Sequence, residues 1–202
     1  MVGGFGEAGI PFELLDALVL HGAKHLTIIS NNSGTFDQGI AALIINNQVD
    51  KIICSHPRPP NSEVFADAYR KGKLELEVLP QGTLAERIRA AGAGLGPFFT
   101  PSGYNTRLAE GKETRVINGI GLVLEDPLGA DFALIRAHQG DRWGNLMYRG
   151  AARNFNPVMA MASQHAIAQV NEVVELGSFN PEHIMTQGVF IKAVVPLGAH
   201  NE

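Results

Sequence analysis

Three short runs rich in β-branched residues, 26–30 (Leu-Thr-Ile-Ile-Ser), 51–55 (Lys-Ile-Ile-Cys-Ser) and 74–79 (Leu-Glu-Leu-Glu-Val-Leu), are separated by stretches of helical periodicity. That alternation constrains the chain more than any other feature. Parallel strands must be joined by crossovers of a dozen or more residues, and a helix is the usual crossover. Strand and helix taking turns therefore predicts an α/β domain whose sheet is mainly parallel, with helices on both faces in three layers. Val2 reads as the last residue of a strand that precedes these three. Pro11 is placed to open a helix over 12–21, with Leu14, Leu15, Leu18 and Val19 on one face and Gly22 ending it. Further helices are predicted over 36–45, 62–71 and 83–91. Residues 56–61 hold Pro57, Pro59 and Pro60 and must form a loop.

Beyond residue 91 the pattern changes. Segments 92–96 and 101–103 read as loops around the short apolar pair Phe98-Phe99. Runs 114–117 and 120–125 flank Asn118-Gly119, the strongest short signal for a β-hairpin. Residues 131–137 form a continuous apolar strand, 138–145 a polar loop, and 146–148 a short extended piece. A helix is expected over 157–163 and strands over 167–176 and 189–195. No repeat or linker interrupts residues 1–202, so one domain with a hairpin insertion is the simplest organisation.

Composition narrows the class. Apolar residues make up 45% and charged residues 18%, enough to build a core and too apolar for a disordered chain. A net charge of −4 without any basic block argues against a nucleic-acid partner. The single cysteine, Cys54, excludes an internal disulfide and fits a reducing compartment. No apolar run is long enough to span a bilayer, and the opening Met-Val-Gly-Gly-Phe is unlike a signal peptide. A cytoplasmic protein without a membrane partner is the expectation.

Gly4-Phe5-Gly6-Glu7-Ala8-Gly9 matches G-x-G-x-x-G, but the dinucleotide reading also needs an acid about 20 residues on to hold a ribose. The next strand ends instead in Ser30-Asn31-Asn32, and Pro11 stiffens the exit of the loop. Two readings stay open for the glycines. They let backbone amides approach an anionic ligand before a helix, or they form a tight turn that packs strand on helix.

Gly3-Gly4-Phe5 followed by Gly9-Ile10-Pro11 resembles the A-subunit signature of the family I coenzyme A transferases. Further motifs fit in register: Ser30-Asn31-Asn32-Ser33-Gly34, the run from Leu79-Pro80-Gln81-Gly82-Thr83 to Arg89, Thr100-Pro101-Ser102-Gly103-Tyr104, Asp131-Phe132-Ala133-Leu134, Gly144-Asn145, and Ala152-Arg153-Asn154-Phe155-Asn156. Within the family, Cys54-Ser55-His56-Pro57-Arg58 and Asp141-Arg142-Trp143-Gly144-Asn145-Leu146 with Tyr148-Arg149 are similar to the subgroup using 3-oxoadipate (β-ketoadipate) and succinyl-CoA. An acetoacetate-type or other 3-oxoacid transferase is the enzymatic alternative, and a non-catalytic ligand-binding module on the same scaffold is the alternative of another class.

The resemblance implies a CoA-transferase-like fold and transfer of CoA between carboxylic acids through a glutamyl-CoA thioester. It places that glutamate on a partner B subunit, so that no catalytic nucleophile is expected in this chain, which would act in a hetero-oligomer of A2B2 type. CoA and its thioesters would be substrates rather than a permanently bound cofactor, and no metal is implied. Gly3, Gly4, Phe5, Gly6, Glu7, Ala8 and Gly9 carry over as the CoA-associated loop. Glu7 lies in that loop, but the family position does not require an acid there. Asn31, Asn32 and Gln81 are candidates for hydrogen bonds to the acyl carboxylate or thioester carbonyl; alternatively the asparagines close a turn and Gln81 caps a helix. Arg58, Arg142, Arg149 and Arg153 could meet phosphates or carboxylates, or lie on a surface or interface. Trp143 could hold the partner or plug the core.

His21 and His25 have ligand spacing, but Gly22 interrupts the helix between them. Most glutamates are expected on solvated faces and Cys54 as a buried structural thiol. Members of the family carry a helix and a full strand ahead of the glycine loop. Residues ahead of Met1, or a shortened variant, are therefore expected.

Overall fold

The computed structural model describes residues 1–198; the last four residues of the expected domain lie outside the described part. Helix α1 spans Phe12–His21 and stops at Gly22, whose φ of 74° is open to glycine at little cost. Strands β1 (Leu26–Ile29), β2 (Val49–Cys54) and β3 (Glu75–Val78) pair in parallel, with α2 (Ile40–Ile45) and α3 (Glu63–Arg70) as crossovers. Helix α4, Gln81–Gly92, leads away from β3. A second parallel set comprises β7 (Ala130–Asp141), β9 (Ser163–Val174) and β10 (Ile191–Pro196), with α5 (Asn156–Met161) between β7 and β9 and a short antiparallel β8 (Leu146–Met147) beside β7.

Residues 1–3 join the two sets. The Val2 amide donates to Ile29 O (2.9 Å) on β1, while on the other side Gly3 N donates to Leu134 O (2.9 Å) and Leu134 N to Met1 O (3.0 Å). The combined order is β3-β2-β1-residues 1–3-β7-β9-β10. Strand alternation sends side chains to two separate cores. Val2, Ile28, Ile52 and Cys54 pack with Leu15, Leu43 and Phe65 of α1, α2 and α3. Met1, Ile29, Ile53, Ala133, Ile135, Ala166 and Ala168 pack with Leu84, Ile88 and Met159 of α4 and α5. Each fully buried Leu or Ile contributes roughly 1.5–3 kcal/mol, and alanines on β7 and β9 let α5 settle close to the sheet. The expected three layers are present.

The hairpin insertion forms where Asn118-Gly119 predicts it. Both residues have positive φ (52° and 78°), the mirror-image turn that matches strand twist. It joins β5 (Thr114–Ile117) and β6 (Ile120–Glu125), and β4 (Phe98–Thr100) completes a small antiparallel sheet. A line of alternating charges ties this sheet to the main one. Lys51 meets Glu77 (2.7 Å), Glu77 meets Arg87 (3.1 Å), Arg87 lies 3.7 Å from buried Glu125, and Glu125 accepts from Lys112 (2.6 Å). Burial works to raise the Glu77 carboxyl, but its hydrogen bonds and charges from Lys51 and Arg87 outweigh it and hold the group below its ordinary value. Glu77 therefore departs from the solvated face expected of the strand glutamates.

Other departures have local causes. The helix expected from residue 36 starts at Ile40, because Phe36 (φ 53°) and Gly39 (φ 56°) turn the chain and the Phe36 amide bonds Asn61 O. Residues 138–141, expected in a polar loop, continue β7, since Gln139 and Asp141 stay paired with Glu172 and Val174 on β9. β9 likewise begins at Ser163 rather than 167, and residues 188–190 form a 3-10 turn before β10. Trp143 does not plug the core; it is 66% exposed. Among the described residues no helix is long and apolar enough to cross a membrane.

Candidate active site at the strand termini

Ligands of open α/β sheets bind beyond the carboxyl ends of the strands, where the strand order reverses. Here the chain runs outward from residues 1–3 through β1 and β2 to β3, then returns to the other side of residues 1–3 as β7, β9 and β10. The reversal lies between residues 1–3 and β7, and the glycine loop emerges there. Helices α1 to α3 lie on one face and α5 on the other, so the loops on the two sides of this point part to opposite faces.

The loop has a defined shape. Phe5 and Ala8 exchange backbone hydrogen bonds (3.0 and 3.1 Å), making a two-residue turn of Gly6 and Glu7 with Gly6 at φ 58°. Phe5, Glu7 and Ala8 are exposed, whereas Gly3, Gly4 and Gly9 are buried beneath the turn. The Gly6 and Glu7 amides donate to no protein acceptor among the described residues. Two adjacent unclaimed N–H groups on an exposed turn can receive an anionic oxygen. Glu7 accepts from Thr35 Oγ1 at 3.2 Å and is exposed, a poor setting for a shielded nucleophile.

Side-chain amides hold this turn from below. Asn32 Nδ2 donates to Gly6 O (3.2 Å). Asn154 Oδ1 accepts from Gly4 N (3.1 Å), and its Nδ2 donates to Ala8 O (2.9 Å). Asn156, fully buried, donates to Gly9 O (3.1 Å) and Ala152 O (2.9 Å) and accepts from Arg136 N (2.9 Å). A methyl group at Gly3 would overlap the Asn156 carboxamide oxygen, and one at Gly9 would stand 2.8 Å from Asn156 Nδ2, so the glycines leave room for the clamp. Sequence reasoning gave Asn154 and Asn156 no role. Their one trace was the irregular motif 152–156, because their partners lie about 150 residues away.

The other expected site residues divide. Asn31 and Asn32 are buried at the carboxyl end of β1, beside the glycine loop. Asn31 Nδ2 donates to Ser55 Oγ (3.1 Å), and its carbonyl accepts from Ser55 N (3.2 Å) and His56 N (3.0 Å), fastening the loop after β2. Asn32 Oδ1 closes a turn by accepting from Gly34 N (2.9 Å), so its carboxamide is committed at both ends. Gln81 opens α4 after Pro80, is exposed, and makes no capping hydrogen bond. It stands two strands from Asn31, on the order of 10 Å at ordinary strand spacing. Two residues on, the Thr83 hydroxyl is buried without a partner. Arg58 follows in the loop after β2, exposed and with no carboxylate partner among the described residues. Arg142, Arg149 and Arg153 lie beyond β7 and β8; Arg153 is close enough to Tyr148 to act on its charge, although burial still pushes that phenol up to about 12. Asp141 fixes the Trp143 loop by accepting from Trp143 N (2.9 Å), Asn145 N (3.0 Å) and Asn145 Nδ2 (2.8 Å).

Residues 1–197 match the family model described as coenzyme A transferase. The chain belongs to that family. This coenzyme A transferase chain is 64% identical over 195 residues to the A subunit of 3-oxoadipate CoA-transferase from Pseudomonas putida, covering 96% of this chain and 84% of that one. It is 57% identical over 197 residues to the protein of the same name from Acinetobacter baylyi, covering 98% and 86%. In fold it matches the acyl-CoA transferase of E. coli O157:H7, solved as a thioester complex with CoA, with a TM-score of 0.84 at 21% identity over 99% of this chain and 46% of that one. The family and subgroup resemblances drawn from the motifs are borne out, as is the fold class.

Proposed function

We propose that this chain is the A subunit of a 3-oxoadipate CoA-transferase, moving CoA from succinyl-CoA to 3-oxoadipate together with a B subunit. The observation that carries the reading is the 64% and 57% identity, over nearly the whole chain, to two proteins named as that subunit. The relatives' names also support a partner chain. An A2B2 assembly and a cytoplasmic location complete the proposal.

The glutamate of the partner attacks the thioester carbonyl, and CoA leaves as thiolate with an acyl-glutamyl anhydride remaining. The thiolate then attacks the glutamyl carbonyl and frees the first acid as its carboxylate. The acceptor carboxylate enters by the reverse path, so the thioester is never lost to water. In this proposal the crown of the glycine loop, with the unclaimed amides of Gly6 and Glu7, receives an anionic part of CoA. Gly3, Gly4, Phe5, Ala8 and Gly9 give the loop its close approach. Gln81, with its uncommitted amide, contacts the acyl carboxylate or thioester carbonyl. Asn31 and Asn32 act there mainly by shaping the floor, since their side chains already bind protein groups. Among the described residues Glu7 of the loop is exposed, and the buried carboxylates Glu125 and Asp141 are committed to Lys112 and to the Trp143 loop, away from the glycine loop.

The test is reconstitution. This chain and its candidate partner, each alone and then mixed, are assayed for succinyl-CoA-dependent formation of 3-oxoadipyl-CoA. Activity in the mixture only, with a hydroxylamine-sensitive adduct on the partner, is expected. Exchange by this chain alone, with an adduct on one of its own side chains, overturns the proposal.

A further inference from the structure

We infer that Asn154 is a positioning residue for the CoA thioester, a strained latch that sets the glycine loop before the ligand arrives. The inference rests on reading that loop as the CoA site. Asn154 has φ 22° and ψ −121°, on the left-handed side where a residue bearing a Cβ is strained and glycine is not. What keeps an asparagine there is its carboxamide. Oδ1 accepts from Gly4 N (3.1 Å), Phe155 N (2.7 Å) and Asn156 Nδ2 (3.3 Å), and Nδ2 donates to Ala8 O and Ala151 O (both 2.9 Å). Gly4 and Ala8 are the residues just outside and at the closing pair of the turn, so one side chain ties both of its legs to the segment that begins α5.

Without Asn154 the turn keeps its own two backbone bonds and one tie from Asn32 to Gly6 O, and a two-residue turn so lightly held is marginal in water. Without the latch the unclaimed Gly6 and Glu7 amides would point together in only a fraction of molecules. Apparent affinity for the thioester falls by that fraction, while the acceptor acid, bound elsewhere, loses nothing. A fold weakened in general behaves differently: it lowers the active fraction, and so the apparent kcat, at constant KM.

The experiment compares wild-type, N154G and N154D chains, each reconstituted with the partner. N154G removes the backbone strain together with all five bonds; N154D keeps the acceptor for Gly4, Phe155 and Asn156 and loses both donors. For N154G the KM for succinyl-CoA is expected to rise about tenfold, the scale of a latch worth one or two hydrogen bonds, with kcat and the KM for 3-oxoadipate within about twofold. N154D should fall between. In parallel, hydrogen exchange should quicken in the peptide covering residues 4–9 of N154G and stay unchanged in α4. A working wild-type pair beside an N154G pair with an unaltered succinyl-CoA KM, or with only kcat lowered, removes the latch. Unchanged exchange at residues 4–9 does the same. A wild-type pair that moves no CoA instead removes the functional reading, and with it the ligand this latch would serve.

Discussion

Replacing Gly3 by alanine tests how firmly the glycine loop is built into the fold. The three atoms nearest to the added methyl all belong to Asn156, and its carboxamide oxygen would overlap it. Asn156 is fully buried and cannot swing into water. If it turns aside, Arg136 N loses its acceptor and the Gly9 and Ala152 carbonyls lose their donor. Buried groups left unpaired cost about 1–3 kcal/mol each, so G3A should destabilise by about 4 kcal/mol even after partial relaxation. The assay is urea unfolding followed by the fluorescence of Trp143, the single tryptophan, read as a change of midpoint at constant slope. A double-mutant cycle isolates the cause. In an N156A background the obstacle is gone, so G3A there should cost less than about 1 kcal/mol. A G3A penalty that is equally large with and without the Asn156 carboxamide would refute the steric reasoning.

Three further outcomes are expected. The folded Glu77 carboxyl lies below its ordinary value, so its stabilising effect is present above the unfolded value of about 4.3 and is lost as pH falls through the folded one. E77Q should therefore cost about 1 kcal/mol at pH 7, with the difference from wild type closing below about pH 4; a gap that persists in acid contradicts the assignment. Burial pushes the Cys54 thiol up to about 11 despite a backbone hydrogen bond from His56, so iodoacetamide at about pH 8 should label the urea-unfolded chain and spare the folded one by intact mass. Arg58, exposed and without a carboxylate partner among the described residues, lies two residues beyond His56, whose amide bonds Asn31 O, and is expected to select the second carboxylate of 3-oxoadipate. R58A should lower kcat/KM for that acid roughly tenfold to a hundredfold and leave acetoacetate unchanged, and equal losses with both acids would exclude a selective role.

Where a local rule governs an element, the sequence was legible. α1 begins after Pro11 and ends at Gly22 as the punctuation dictates, and the hairpin turns at Asn118-Gly119. Elements set by distant partners were less so. Nothing local says that residues 138–141 should extend β7; their pairing with β9 does. Phe36 reads as the start of an apolar helical stretch, yet a bond to Asn61 holds it in a turn. Glu77 and Glu125 look like surface charges until Arg87 and Lys112 arrive from other elements. The site followed the same division. Its glycines were visible because an unusual loop needs an unusual composition, whereas the asparagines that hold them were visible only as an unexplained motif.

The position of the loop follows from topology as much as from its glycines. A strand with neighbours on both sides usually sends its following loop across the top of one of them, closing the space above the sheet. At residues 1–3 no such cover follows from the element order, because the chain leaves them toward α1 on one face while the segment following β7 leads to α5 on the other. The glycine loop occupies the point where they part, tied to Asn32 on one flank and to Asn154 and Asn156 on the other. Its top is open. The one acid in the loop, Glu7, is exposed and hydrogen-bonded to Thr35. On the proposed function, the carboxylate that attacks a thioester seated there comes in from above and brings its own cover against water. The B subunit of that proposal would supply both at once, so its docking is expected to switch the chemistry on.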